Sequence, residues 1–181
     1  MIKALKEFTI PFIGLKAEKH YFDYQIDKKF FEYFEYDDFN DVNIKAELVF
    51  EKKSTFLELY FEIVGGVNVN CDITNEPYDQ MVEGEFKLVV NFGDVYNDEF
   101  EDILIIPHGE YELNVAQYIY ELIILSMPAK RVHPGVEDGT LNSDILKRLE
   151  ELSPKSLGEK EETSEEIDPR WNTLKKLLTD K

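Results

Sequence analysis

The first half of the chain alternates hydrophobic and polar side chains with a period of two, which is typical of half-buried strands. The alternation is clearest over residues 42–51 and 55–63, and the link between them is short enough for a hairpin. Further strands are predicted over residues 15–26, 67–71, 81–92 and 103–107, with an acidic loop over 94–102. The glycine pair Gly65-Gly66 would let the chain bend or bulge before residue 67.

The period changes over Leu113–Met127, where hydrophobic residues follow the i, i+3, i+4, i+7 spacing of a helix. Asn114 could cap its start, and Pro128 ends it. The aromatic segment 28–36 favours a short helix or turn that closes over a sheet. Consecutive strands with short links, without strand–helix alternation, indicate an α+β fold. We expect a mostly antiparallel sheet, or a partly closed barrel, covered by one amphipathic helix and followed by a mobile helical C-terminal arm.

Three regions are predicted along the chain. Residues 1–134 form an α+β core domain, because the aromatic and alternating segments lie there. Residues 135–167 form an acidic, largely disordered linker with a possible short helix over Ser143–Leu152. Residues 168–181 form a C-terminal amphipathic helix, with Asp168 as its cap and Pro169 in its first turn. This last helix either packs back on the sheet or docks in a partner's groove, and both alternatives stay open.

The acidic charge of the chain is concentrated in its middle. The net charge is −18, and residues 31–128 hold four lysines against 22 acidic residues. Such a surface repels phosphate and suits a basic partner, although the same charge is also consistent with simple solubility. Neither a membrane nor DNA is expected as a partner. No long apolar run or signal peptide is visible and the chain has one cysteine, so we expect a cytoplasmic protein.

No motif points to catalysis, so the chain is not expected to be an enzyme. The three histidines are scattered, no paired-cysteine motif occurs, and neither a nucleotide-binding glycine loop nor a serine-hydrolase elbow is present. We therefore predict no catalytic residue, cofactor or metal. Cys71 is interpreted as a small buried hydrophobic residue. The strand over Met81–Phe92 could stack RNA bases, but core packing is the better interpretation of its aromatic residues.

Two positively charged places remain on the acidic chain, and both are candidate interaction sites. They comprise Lys130, Arg131 and His133 after the predicted helix, and Arg170, Trp171, Lys175 and Lys176 near the C-terminus. Trp171 also makes the C-terminal helix costly to leave in water, since burial of a side chain of that size is favourable.

Four segments, in this order, resemble the YceD family of large ribosomal RNA subunit accumulation proteins. They are FTIPFIGLK, VNVNCDITNEPYD, LNVAQYIYELIILSMPAKRVHP and DPRWNTLKKL. The resemblance implies a non-enzymatic factor that supports synthesis, processing or stability of large-subunit (23S) ribosomal RNA. It implies a ribosomal RNA precursor or a basic ribosomal protein as the partner, and it supplies no catalytic residue. The alternatives are a magnesium-dependent RNA-processing enzyme and a generic protein-interaction module.

The sequence departs from the family pattern at one turn. Members resembling this chain often carry Cys-x-x-Cys-Leu there. In this chain Cys71 matches the first cysteine, Thr74 stands at the second, and Asn75 replaces the leucine. With one cysteine in the chain, we expect packing and hydrogen bonds to hold the turn in place of a metal ion.

Overall fold

Eight strands and four short helices make up the described part of the chain, in a computed structural model that describes residues 3–141 and 144–153. The strands are β1 (Thr9–Ile10), β2 (Lys19–Asp27), β3 (Asp41–Lys52), β4 (Phe56–Asn70), β5 (Pro77–Gly93), β6 (Asn97–Phe100), β7 (Ile103–Pro107) and β8 (Leu113–Asn114). The helices are α1 (Lys28–Glu32), α2 (Ala116–Ser126), α3 (Pro134–Glu137) and α4 (Asp144–Leu152), and 3-10 turns cover Lys3–Phe8 and Phe12–Gly14. The chain divides into two units, Met1–Ser143 and Asp144–Lys181.

The first unit is built on an open six-stranded sheet with the strand order β2-β3-β4-β5-β7-β6. The prediction of a mixed fold with a mostly antiparallel sheet is confirmed, whereas the alternative of a partly closed barrel is wrong. β2 and β6 remain separate edges, and β1 pairs with β8 in a ladder of its own. One pair is parallel, because β7 lies beside β5 in the same direction. The predicted acidic loop over 94–102 contains β6, which pairs with the outer edge of β7.

The long strands β3, β4 and β5 alternate cleanly between two faces. On the inner face the apolar side chains of β3 and β4 are buried, and β5 adds Val82, Leu88 and Val90 to the same core. β4 and β5 pair without a register shift over their whole length, from Phe56 opposite Asn91 to Asn70 opposite Pro77. Since the period of a strand is two, this unbroken register keeps the charged residues of the pair on the outer face.

The glycine pair does not create a bulge. β4 continues through it in register with both neighbours, where two separate strands were predicted. Gly65 nevertheless has a specific role, because a Cβ there would lie 2.3 Å from the carbonyl oxygen of Asn43 and 2.6 Å from the Cα of Ile44. A side chain at Gly66 would meet nothing closer than 3.9 Å. The close approach of the two backbones therefore depends on the first glycine.

The helix α2 packs on the inner face of β4 and β5. Its residues Ala116, Ile119, Leu122 and Ile123 are buried, and the ring of Tyr118 lies 6.2 Å from Phe61 and 6.4 Å from Phe86. The helix begins at Ala116, later than the predicted start at Leu113, because Leu113 and Asn114 form β8 against β1. Asn114 still serves the helix start, since its side-chain oxygen accepts a hydrogen bond from the N–H of Ala116 at 3.0 Å.

The aromatic segment after β2 forms the predicted short helix. In α1, Asp27 accepts a hydrogen bond from the N–H of Phe30 at 3.2 Å and so caps the first turn. Phe30 and Phe31 are buried, and Phe31 lies edge-on to Phe39 with ring centroids 5.0 Å apart. The segment closes over the core at the end of β2, as the sequence indicates.

The second unit contains the helix α4, whose bounds Asp144–Leu152 coincide with the predicted short helix over Ser143–Leu152. None of its described residues is buried. The predicted disordered stretch after residue 153 and the predicted helix over 168–181 lie outside the described residues.

Candidate interaction site

The turn that carries Cys71 joins the ends of β4 and β5. The N–H of Asn75 donates to the carbonyl oxygen of Cys71 at 2.8 Å, and the N–H of Cys71 donates to that of Glu76 at 2.9 Å. Asn75 has a φ of 59°, a left-handed conformation that asparagine tolerates better than most residues. Two backbone hydrogen bonds and one favourable residue type thus fix a tight turn.

The sulfur of Cys71 is buried, with the residue 2% exposed, and it is surrounded by donors. The backbone N–H of His133 donates to it from 3.3 Å. Burial alone would raise the pKa of this thiol, but hydrogen bonds from the His133 backbone, the Thr74 hydroxyl and the Thr74 and Ile73 backbones lower it below its usual value. The interpretation of Cys71 as a buried side chain agrees with its burial, although the surrounding donors were not foreseen.

Thr74 stabilises the turn at the position where the resemblance would place a second cysteine. Among the residues that the structure describes, Thr74 is a polar residue that is buried, with 2% exposure. Its hydroxyl oxygen accepts a hydrogen bond from the N–H of Glu76 at 3.4 Å, and its hydroxyl contributes to the donors around Cys71. The expectation that packing and hydrogen bonds hold this turn is confirmed. Among residues 3–141 and 144–153, no group of three or more His, Cys, Asp or Glu side chains could hold a metal ion.

The segment after α2 lies against this turn through Arg131. Its backbone N–H donates to the carboxylate of Asp72 at 2.7 Å, and its carbonyl accepts from the N–H of Asp72, also at 2.7 Å. The guanidinium lies 3.8 Å from the carboxylate of Asp72 and 4.0 Å from that of Asp38. Arg131 is therefore held by two carboxylates, which reduces the charge that it can offer to a phosphate.

His133 belongs to the same junction. Its Nδ1 accepts a hydrogen bond from the N–H of Gly135 at 2.9 Å and caps the short helix α3, and its ring lies 5.5 Å from that of Tyr78 at a steep angle. Lys130 is exposed and has no ion pair within the part of the chain that the structure describes. Among Lys130, Arg131 and His133, Lys130 is therefore the residue most accessible to a partner.

The other predicted interaction residues are Arg170, Trp171, Lys175 and Lys176, and all four lie outside the described residues. The structure therefore neither brings them to Lys130 nor separates them from it. The β4–β5 turn does contact the segment that carries Arg131 and His133. The positions of these two segments in the sequence did not predict this contact.

The outer face of the sheet holds a feature that sequence analysis missed. Four acidic residues stand opposite one another across four adjacent strands: Asp23 on β2, Glu47 on β3, Glu62 on β4 and Glu85 on β5. Alternation placed such residues on the polar face of their strands. Their alignment depends on the strand registers, which the sequence alone does not supply.

Comparison with protein-family models identifies residues 59–178 as a match to the family described as "Large ribosomal RNA subunit accumulation protein YceD". The match contains three of the four segments that carry the resemblance and begins after the first of them. Neither the curated proteins nor the solved structures gave a match. Among the described helices, none has the length and apolar character needed to cross a membrane.

Proposed function

The chain belongs to the YceD family, whose model spans more than half of it, and from this premise we propose that it is a non-enzymatic factor supporting the large-subunit (23S) ribosomal RNA. The family description ties its members to accumulation of the large ribosomal RNA subunit, and that description is the observation that carries the proposal. The factor acts in synthesis, processing or stability of the RNA, in the cytoplasm.

The architecture suits a binding protein. The buried thiol of Cys71 accepts a hydrogen bond from the backbone of His133, and the ring of His133 caps α3, so both residues have structural contacts at this junction. Within the described residues, the exposed sheet face and Lys130 offer surfaces for contact with a macromolecule. These features support a factor that works by association with a ribosomal RNA precursor or with a basic ribosomal protein.

The test of the proposal is a deletion of the gene, followed by comparison of large-subunit with small-subunit RNA levels. We expect large-subunit RNA to fall selectively and to be restored by the wild-type gene. Unchanged RNA levels would contradict the proposal and would favour a generic interaction module. Purified protein incubated with precursor RNA and Mg²⁺ tests the enzymatic alternative, and specific cleavage would overturn the non-enzymatic assignment.

The cationic residues give the second part of the test. Removal of residues 168–181 is expected to leave the melting temperature nearly unchanged and to weaken co-sedimentation with large-subunit precursors. Lys130→Ala is expected to weaken it further, whereas Lys29→Ala, which removes another exposed lysine on α1, serves as the matched control. A drop of many degrees on truncation would show instead that Trp171 packs in the protein's own core.

A further inference from the structure

Among residues 3–141, the outer face of the sheet is exposed to solvent. The helix α2 packs on the inner face, where Gly84 approaches Ser126 and Leu122, and the N-terminal segment packs there too, with Phe8 stacked on Tyr24 at 4.9 Å. On the outer face, Tyr21 is 74% exposed and Met81 is 70% exposed. These large side chains are open to solvent on the face that also carries the acidic row.

The four acidic residues of that face form a continuous row. Asp23 stands opposite Glu47, Glu47 opposite Glu62, and Glu62 opposite Glu85. Neighbouring strands are about 4.8 Å apart, so the row extends over roughly 14 Å. Like charges directly opposite each other in a sheet are unfavourable, and this row places three such pairs in succession.

The cations near the row leave half of it unneutralised. Lys45 contacts Glu47 and lies 3.9 Å from Asp23, while Lys87 lies 3.1 Å from Glu58 in a different row. Within the described residues, Glu62 and Glu85 form no ion pair. The charge repulsion is therefore concentrated at the β4–β5 end of the row, where a cation from outside would relieve it.

An apolar and aromatic flank lies on one side of the row. It is formed by Tyr21, Val49 and Tyr60, which are aligned across β2, β3 and β4, with Lys87 at its end on β5. On the other side, Val64 is exposed between Lys45 and Glu83. Tyr60 donates its hydroxyl proton to Glu85, and this bond holds its ring beside the carboxylates. Lysine and arginine have long apolar stems that pack on such flanks, and the guanidinium of arginine also stacks on tyrosine rings.

We propose that this acidic strip, formed by Asp23, Glu47, Glu62 and Glu85 with its flanking residues, is the docking site of a protein segment rich in lysine and arginine. Complementary charge selects such a segment, and the same charge repels the phosphates of RNA. Basic residues repeated on one face of a helix are about 5–6 Å apart, close to the spacing of the carboxylates. The proposal rests on the function proposed above, because it assigns a surface to the basic protein partner named there; the peptide test can fail while the RNA-accumulation test succeeds.

The test uses the full-length protein and three probes: a synthetic helical peptide with lysine or arginine at i, i+3, i+4 and i+7, the same peptide with glutamate at those positions, and a single-stranded RNA oligonucleotide. We expect the basic peptide to bind, with an affinity that falls as salt is raised, and the other two probes not to bind. Equal or tighter binding of the RNA would overturn the proposal, and so would failure of the basic peptide to bind at low salt.

Two double variants separate the strip from the overall acidity. Glu62→Gln with Glu85→Gln removes the unneutralised end of the row and is expected to weaken peptide binding at least tenfold. Glu101→Gln with Glu110→Gln removes the same charge from exposed positions elsewhere and is expected to change binding less than twofold. Equal weakening by both pairs would show attraction by net charge alone and would overturn the assignment. A thermal melt of each variant confirms that it is folded.

Discussion

The backbone N–H of His133 donates a hydrogen bond to the sulfur of Cys71 over a sequence separation of 62 residues. This contact joins the β4–β5 turn to the segment that follows α2, beside the paired hydrogen bonds of Asp72 and Arg131. The lone cysteine is thus an acceptor within a junction of two distant segments, in addition to a packed side chain.

Replacement of Cys71 tests this junction. Cys71→Ala removes buried volume and leaves several donors without an acceptor, so we expect it to lower the free energy of unfolding by about 1–3 kcal/mol. Cys71→Ser retains an acceptor and is expected to cost less than the alanine change. Urea denaturation of the two variants measures the difference. Large-subunit RNA accumulation is expected to persist in both, and its loss at unchanged stability would show a direct functional role for the thiol.

The adjacent glycines of β4 offer a matched pair. Gly65→Ala would place a methyl group 2.3 Å from the carbonyl oxygen of Asn43, which is backbone and cannot move without disturbing β3. We expect a loss of at least about 2 kcal/mol in the free energy of unfolding. Gly66→Ala would make only an ordinary van der Waals contact, 3.9 Å from the carbonyl oxygen of Gln80, and is expected to be within about 0.5 kcal/mol of wild type. Similar costs at both positions would contradict the close approach of the two strands.

Tyr24 has a buried hydroxyl without a hydrogen-bond partner among the described residues. Burial raises its pKa to about 12, and the nearby carboxylate of Glu7 adds to the effect. Tyr24→Phe removes the unpaired group, so we expect the free energy of unfolding to stay the same or rise by up to about 1 kcal/mol at neutral pH.

The same substitution has a pH signature. Burial in the folded state raises the pKa of Tyr24 above 10.0 and so favours the protonated phenol. The contribution of this group to the free energy of unfolding is therefore fully present below pH 10. It is lost as the pH rises towards 12. The wild type should therefore lose stability relative to Tyr24→Phe over that interval in denaturation measured at successive pH values. A constant difference would show that the phenol is solvated in the native state.

The acidic row predicts that reversal of one of its charges stabilises the protein. Glu62→Lys places a cation between Glu47 and Glu85, replacing two repulsive cross-strand pairs by two attractive ones. We expect the free energy of unfolding to rise by about 0.5–1 kcal/mol at low salt. The gain should shrink as the salt concentration increases, because these groups are exposed. A stability unaffected by salt would show that the repulsion across the row is negligible.

The sequence predicts the local elements well because their signals are local. The alternation over residues 42–51 and 55–63 identifies β3 and most of β4, and the change of period identifies α2. The ladder between Thr9–Ile10 and Leu113–Asn114 was missed because it joins segments that are distant along the chain. That ladder is also why the helix begins after Leu113. The parallel pairing of β7 with β5 was not predicted for the same reason, since no local sequence pattern specifies which strands are neighbours in a sheet.

For the candidate sites, residue type was predictable and position was not. The sequence singles out Arg131 and His133 as candidate interaction residues, but their engagement by Asp72, Gly135 and Cys71 depends on the fold. Asp23 lies in the strand predicted over residues 15–26, whereas its alignment with Glu47 depends on the register between β2 and β3. Charge counts alone indicate an acidic protein, whereas the register places that charge in a row.

The pairing of Thr9 with Asn114 constrains the order in which the molecule can be assembled. During synthesis from the N-terminus, β2 to β5 have their antiparallel neighbours once residue 93 has been made. The segment before them must wait until residue 115 emerges, since the N–H of Val115 also donates to the carbonyl of Phe8. Through that interval Phe8 and Ile10 lack Val115 and Leu113, the residues with which they pair, so this apolar segment cannot yet take its place in the core.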